Sequence, residues 1–125
     1  MAPRPRSPST GGIALKKNYG LWASEIRDLA TGHGACFASD KITVASERVG
    51  YMYREAPDYP EDSGWRFMSG TESDAYMDNA SNHGIYDVNT IANYDPEIIP
   101  FLDAPVGSAY IRDPLSGALR ADTTS

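Results

Sequence analysis

Residues 62–70 read Asp-Ser-Gly-Trp-Arg-Phe-Met-Ser-Gly, and this stretch decides the fold. Trp65 and Phe67 alternate with Arg66 and Met68, which is the period-two pattern of a β-strand that buries one face. Because tryptophan brings a large apolar area, we expect Trp65 to anchor the core from this strand. Gly64 permits a tight backbone entry into it. The stretch therefore predicts a strand whose aromatic side faces the core.

Two strands and a helix are predicted before this stretch. Residues 36–44 are rich in small and β-branched side chains, which is typical of a strand. In residues 49–54, side chains of two kinds alternate, and Tyr51 and Tyr53 would lie on the same side of a second strand. A turn at residues 46–48 would join these two strands, and short connections favour antiparallel pairing. Apolar residues recur at helical spacing over residues 20–31, which predicts a short amphipathic helix there.

Short helical segments and a final strand are predicted after residue 70. Thr71 and Asp74 have capping-box spacing, so residues 72–79 should form a brief helix. Residues 79–84 would end it, residues 87–94 would form another, and Asp95 is an N-cap candidate before a proline. The remaining predictions are a strand over 108–112 and a turn over 113–117.

This order of elements favours an α+β fold, because no strand-helix-strand unit with a full-length crossover helix recurs. We expect one domain over residues 13–118, with a four- or five-stranded, mainly antiparallel sheet packed with short helices. Residues 1–12 are proline-rich and nearly devoid of apolar side chains, so they should form a disordered tail, and residues 119–125 should be frayed. The total of 125 residues also fits a single domain.

The charge distribution disfavours several classes of partner. The net charge is −6, which repels nucleic acid and anionic membranes, and residues 55–103 carry eleven acidic side chains against one basic one. No apolar run is long enough to cross a bilayer, so a soluble, cytoplasmic protein is expected. A single cysteine, Cys36, excludes an internal disulfide, and zinc would have only His33, His83 and carboxylates as ligands. We therefore expect no cofactor and no metal.

The acidic segment 55–62 suits recognition of a protein partner, because two prolines stiffen a loop that displays carboxylates and a tyrosine. The residues predicted to contact a partner directly are Asp58, Tyr59, Glu61 and Asp62. Asp74 and Asp78 would be rim charges that steer association. Arg54 and Arg66 could each pair with Asp62 or Glu55, and such a pair would hold the local geometry in place.

Three stretches of the chain resemble a known bacterial family. They are residues 49–55, Val-Gly-Tyr-Met-Tyr-Arg-Glu; residues 62–70; and the run from 85 to 108 that contains Asn-Thr-Ile-Ala-Asn-Tyr-Asp-Pro. Together they are similar to the thirty-third immunity-protein family of polymorphic toxin systems, over roughly residues 33–112. Trp65 matches the family's characteristic tryptophan, and Tyr51, Arg54, Gly64 and Arg66 lie in the matching motifs.

The resemblance implies an α+β protein that binds and neutralises a cognate toxin in the cytoplasm, without a catalytic mechanism and without active-site residues to transfer. A regulatory or structural interaction module with no toxin partner is an alternative. A small hydrolase that uses the carboxylates of segment 55–62, with or without a metal, is a weaker one. The sequence leaves the oligomeric state open.

Overall fold

A six-stranded mixed sheet organises residues 17–122, the part of the chain that this computed structural model describes. The strands run in the spatial order β4-β1-β3-β2-β5-β6, in which β1 and β3 are parallel and the other four neighbouring pairs are antiparallel. In chain order they are β1 (Ala35–Ser39), β2 (Tyr51–Arg54), β3 (Asp62–Met68), β4 (His83–Asp87), β5 (Ala109–Arg112) and β6 (Leu119–Ala121). The α+β class and the strand at Trp65 are confirmed, whereas four or five strands were too few.

The parallel pair arises because β1 ends earlier than predicted. Ser39 is an N-cap whose side chain accepts a hydrogen bond from the Lys41 N–H, and it starts α1 (Asp40–Thr43) where residues up to 44 had been predicted as strand. The prediction that a hairpin turn at residues 46–48 joins the first two strands is therefore wrong. The chain passes on to form β2 on the far side of β3, so β1 and β3 become neighbours that point the same way.

The helices after β3 follow the prediction with small changes. The helix predicted over 87–94 is α3 (Val88–Tyr94), which Asp87 caps, and Asp95 caps a 3₁₀ helix (Pro96–Phe101) as predicted. The helix predicted over 72–79 is α2 (Asp74–Asp78), and Ser73 caps it in place of the predicted Thr71 and Asp74 pair. Within residues 79–84, a 3₁₀ helix (Ala80–Asn82) leads into β4, a strand that was not predicted from the sequence.

Both ends of the described chain differ from prediction. The helix predicted over 20–31 is only a 3₁₀ turn at Ala23–Glu25, because α3 takes up the backbone donors beyond it. Asn89 of α3 accepts the N–H groups of Leu29 and Ala30, each at 2.8 Å. At the other end β6 pairs with β5, so residues 119–121 are not frayed. The predicted tail at 1–12 lies outside the described residues.

The core lies between one face of the sheet and the helices α1 and α3 with the 3₁₀ helix at Pro96–Phe101. Trp65, Phe67 and Met52 point into it and are fully buried. The indole Nε1 of Trp65 donates to the carbonyl of Leu102 at 3.1 Å, so the one polar group of this side chain is satisfied. The prediction that Trp65 anchors the core is confirmed.

The opposite face of the sheet, here called the open face, carries two rows of side chains that the strand register sets side by side. One row crosses from Ile85 through Phe37, Arg66 and Tyr53 to Ala109, and the other contains Met68, Tyr51 and Ile111. The loop at residues 55–61 borders this face at one end and α2 borders it at the other. The open face is therefore the broad surface that the core helices leave uncovered.

Candidate functional site

Arg66 forms the polar centre of the open face. Arg66 is only 6% exposed. Its guanidinium donates to both carboxylate oxygens of Asp62, at 2.9 and 2.8 Å, and to the Glu55 carboxylate at 2.7 Å. Asp58 lies 3.5 Å away on the solvent side. A single buried cation thus gathers three carboxylates, because the register places Arg66 on the side of β3 opposite Trp65 and Phe67.

Asp62 braces the loop from inside the protein. The hydrogen bond from Arg66 holds the pKa of Asp62 well below its ordinary value, and its side chain is 1% exposed. Its two carboxylate oxygens also accept the backbone N–H groups of Asp58 and Gly64, each at 2.8 Å. Asp62, which the sequence predicted as a partner contact, is therefore buried, and its side chain holds the loop from inside.

Arg54 does not pair with Asp62 or Glu55. The register sets it opposite Trp65 on the core face, where its guanidinium lies 5.7 Å from the indole ring. It donates to the carbonyls of Ser63 and Ala104 at 2.9 and 2.7 Å. Its interactions therefore tie β2 to β3 and to the turn before β5, away from the open face.

The other predicted contact residues are exposed but fall into two groups. Asp58, Tyr59 and Glu61 lie in the loop before β3, and Asp74 and Asp78 lie on α2 after it. Because β3 has seven residues and so spans roughly 20 Å, the two groups border the open face from opposite ends. The tertiary structure does not bring them together into one continuous acidic patch.

Between these groups the open face contains a groove of about 990 Å³ and a smaller cavity of about 260 Å³, and Tyr53 lines both. The groove floor includes Tyr51, Ile111 and Met68, with Met77 of α2 at one side. The rings of Tyr51 and Tyr53 lie 5.5 Å apart. The sequence does not predict this groove, although the alternation of Tyr51 and Tyr53 with Met52 indicates that the two tyrosines share a face.

The other chemically active side chains occupy structural positions. Burial raises the pKa of the Cys36 thiol well above its ordinary value, so the thiol stays protonated at neutral pH. His83 stacks on Phe37 at 5.0 Å between ring centres. Within residues 17–122, no three His, Cys, Asp or Glu side chains cluster in a way that could hold a metal ion. None of the helices in that range has the length and apolar character needed to cross a bilayer.

Comparison with known proteins identifies a family. The family described as the immunity protein Imm33 domain matches residues 36–121, which run from β1 to the end of β6 and include Trp65. No curated protein and no solved structure matches the chain. The match extends beyond the three stretches that resemble the family into the last strand, and it includes residues of all six strands and the core helices. This chain belongs to the Imm33 immunity protein family.

Proposed function

We propose that this protein is a non-catalytic, cytoplasmic immunity protein that neutralises a cognate toxin by binding to it. The observation that carries the proposal is the family match over residues 36–121, because it spans the complete sheet and its core. The fold supports a binding role, since the open face offers a broad surface with aromatic and charged side chains and is bordered by an exposed loop.

The loop at residues 55–61, here called the acidic loop, is the part of this surface that we expect to meet the toxin first. The side chain of Asp58 is 80% exposed, Tyr59 is exposed beside it, and Glu61 completes the exposed acidic group. Pro57, Pro60 and the internal brace from Asp62 reduce the conformational entropy that the loop would lose on docking. Asp74 and Asp78, at the other end of the open face, would steer a basic toxin toward it.

The experiment is coexpression with a candidate toxin domain taken from the genes that neighbour the gene of this protein, with cell growth as the readout. We expect the wild type to restore growth and the double charge reversal Asp58→Lys with Glu61→Lys to lose most of that protection. The double variant Asp28→Lys with Asp103→Lys is the matched control, since it reverses two exposed carboxylates outside the loop.

The outcomes separate the two parts of this proposal. If the wild type gives no protection, the toxin role fails and an interaction module without a toxin becomes the better interpretation. If the loop variant protects as well as the control variant, the loop is not the contact surface. Purified wild-type protein should also bind the toxin more weakly as salt concentration rises, because exposed charges are screened.

A further inference from the structure

We propose that the groove of the open face receives a basic segment of the partner, in which lysine or arginine side chains flank an apolar one. This inference rests on the proposed function and names the kind of partner segment that the site fits. It assigns the main apolar contact to Tyr51, Tyr53 and Ile111 rather than to the acidic loop.

The groove floor is apolar and aromatic where an ordinary exposed sheet face is polar. Tyr51, Tyr53 and Ile111 are half-buried and stand next to one another on β2 and β5. Met77 of α2, 38% exposed, adds a flexible side chain at the edge. Rigid aromatic rings with a polar tip lose little conformational entropy on binding and are the residues that most often anchor protein interfaces.

The charges at the groove rim favour a basic partner. Glu47 and Glu72 both line the groove, and among the described residues neither of them forms an ion pair. Burial raises the pKa of Glu72, but N–H donors led by that of Ser69 outweigh it and leave the net shift downward. Glu72 therefore carries its negative charge at neutral pH.

The cations that also line the groove are already engaged. Arg112 donates to Asp95 and to Glu97, each at 2.6 Å, and Arg48 contacts Glu97 at 3.0 Å. These pairs turn the two guanidinium groups toward the 3₁₀ helix that follows α3. The negative charge of Glu47 is left without a cationic partner among residues 17–122, so a basic segment would complement the rim.

The same charges disfavour a second copy of this chain as the occupant. Two open faces in contact would bring Glu47 and Glu72 of one copy close to acidic residues of the other, and the whole chain already carries a net charge of −6. Like charges at a desolvated interface oppose association. The floor and the rim together therefore fit a different, basic protein.

The first experiment tests the groove with a probe that needs no toxin. A short peptide alternating arginine with leucine is titrated into the isotope-labelled protein, and backbone amide shifts are recorded by NMR. We expect the shifts to concentrate on β2 and β5. Ile111→Arg should weaken binding by about tenfold or more, because it places bulk and positive charge on the floor.

Matched variants guard against a folding artefact. Leu29→Arg introduces the same side chain at a 43% exposed leucine outside the groove and should leave the affinity unchanged. Glu47→Lys should weaken binding without altering the floor, whereas Asp28→Lys should do so only slightly. Thermal unfolding of each variant shows that it is folded. Shifts confined to the loop at residues 55–61 or spread over the surface would overturn the proposal, as would wild-type affinity in Ile111→Arg or a dimer formed through the open face.

The toxin assay then separates this inference from the proposed function. Localised peptide binding without protection of cells would leave the groove as a docking site and remove the toxin role. Protection that survives Ile111→Arg but not the loop reversal would keep the toxin role and show that the groove is not its contact. Tight binding of a peptide alternating glutamate with leucine would overturn the charge argument.

Discussion

At the scale of single residues, the pairing of Arg66 with Asp62 decides which carboxylates of the acidic loop are available. Breaking a buried ion pair leaves an uncompensated charge, so we expect Asp62→Asn to lower the free energy of unfolding by about 3 kcal/mol. Asp58→Asn removes a carboxylate that is 80% exposed and 3.5 Å from the same guanidinium, so it should cost less than about 1 kcal/mol. Urea denaturation of the two variants measures the difference, and equal losses would show that Asp62 does not brace the loop.

Trp65 is the residue on which the core depends most. The side chain is fully buried, so Trp65→Ala should lower the free energy of unfolding by about 3 to 5 kcal/mol. Tyr59→Ala, at an exposed aromatic residue of the loop, is the control and should change it by less than about 0.5 kcal/mol. A Trp65 variant with unchanged stability and lost toxin binding would move this residue from the core to the interface.

At the scale of elements, Gly64 sets how β3 begins beside the end of β2. It has a φ of +87°, and a Cβ there would overlap the carbonyl oxygen of Glu55. The Glu55 N–H donates to the Gly64 carbonyl at 2.9 Å, so the two strands meet at this point without room for a side chain.

Gly64→Ala should therefore destabilise the protein through both backbone strain and collision with backbone. Gly32 has a similar φ of +86° but no atom within 4 Å of a Cβ, so Gly32→Ala carries only the conformational cost of roughly 1 to 2 kcal/mol. We expect the loss at Gly64 to be clearly larger than the loss at Gly32 in thermal or urea unfolding. Equal losses would mean that β2 and β3 can separate locally at little cost.

At the scale of the whole molecule, carboxylates held charged by the fold predict loss of stability in acid. Hydrogen bonds from Arg66 lower the pKa of Asp62, those from Arg112 lower that of Glu97, and the Leu115 N–H lowers that of Asp113. With folded pKa values below the unfolded ones, the unfolded chain binds more protons as pH falls through about 4. The stabilisation is complete above that pH and is lost progressively below it.

Urea midpoints measured from about pH 6 down to about pH 3 should therefore fall, and Asp62→Asn should show a smaller fall than the wild type. Molar salt should weaken the part that comes from Glu97, whose carboxylate faces solvent and pairs with Arg112 and Arg48, and should spare the buried part from Asp62. A midpoint that does not change on acidification would contradict the assignment of these carboxylates as charged partners.

The distribution of charge over the folded molecule also differs from its distribution along the chain. Residues 55–103 hold eleven acidic side chains against one basic one, but Arg48 and Arg112, from outside that range, neutralise Asp95 and Glu97. Arg66 is shared among three more carboxylates. Beside the open face, the exposed carboxylates form two separated clusters with the groove between them, which a count along the chain does not show.

The sequence by itself determined the features that local chemistry controls. The alternation around Trp65 specified β3 and its buried side, the N-cap at Asp95 before a proline specified one helix start, and three motifs identified the family. Only the tertiary structure decided the parallel pairing of β1 with β3, the burial of Asp62 and the grouping of Tyr51, Tyr53 and Ile111 on one face. These depend on which distant strands pair and in what register, and no short stretch of sequence carries that information.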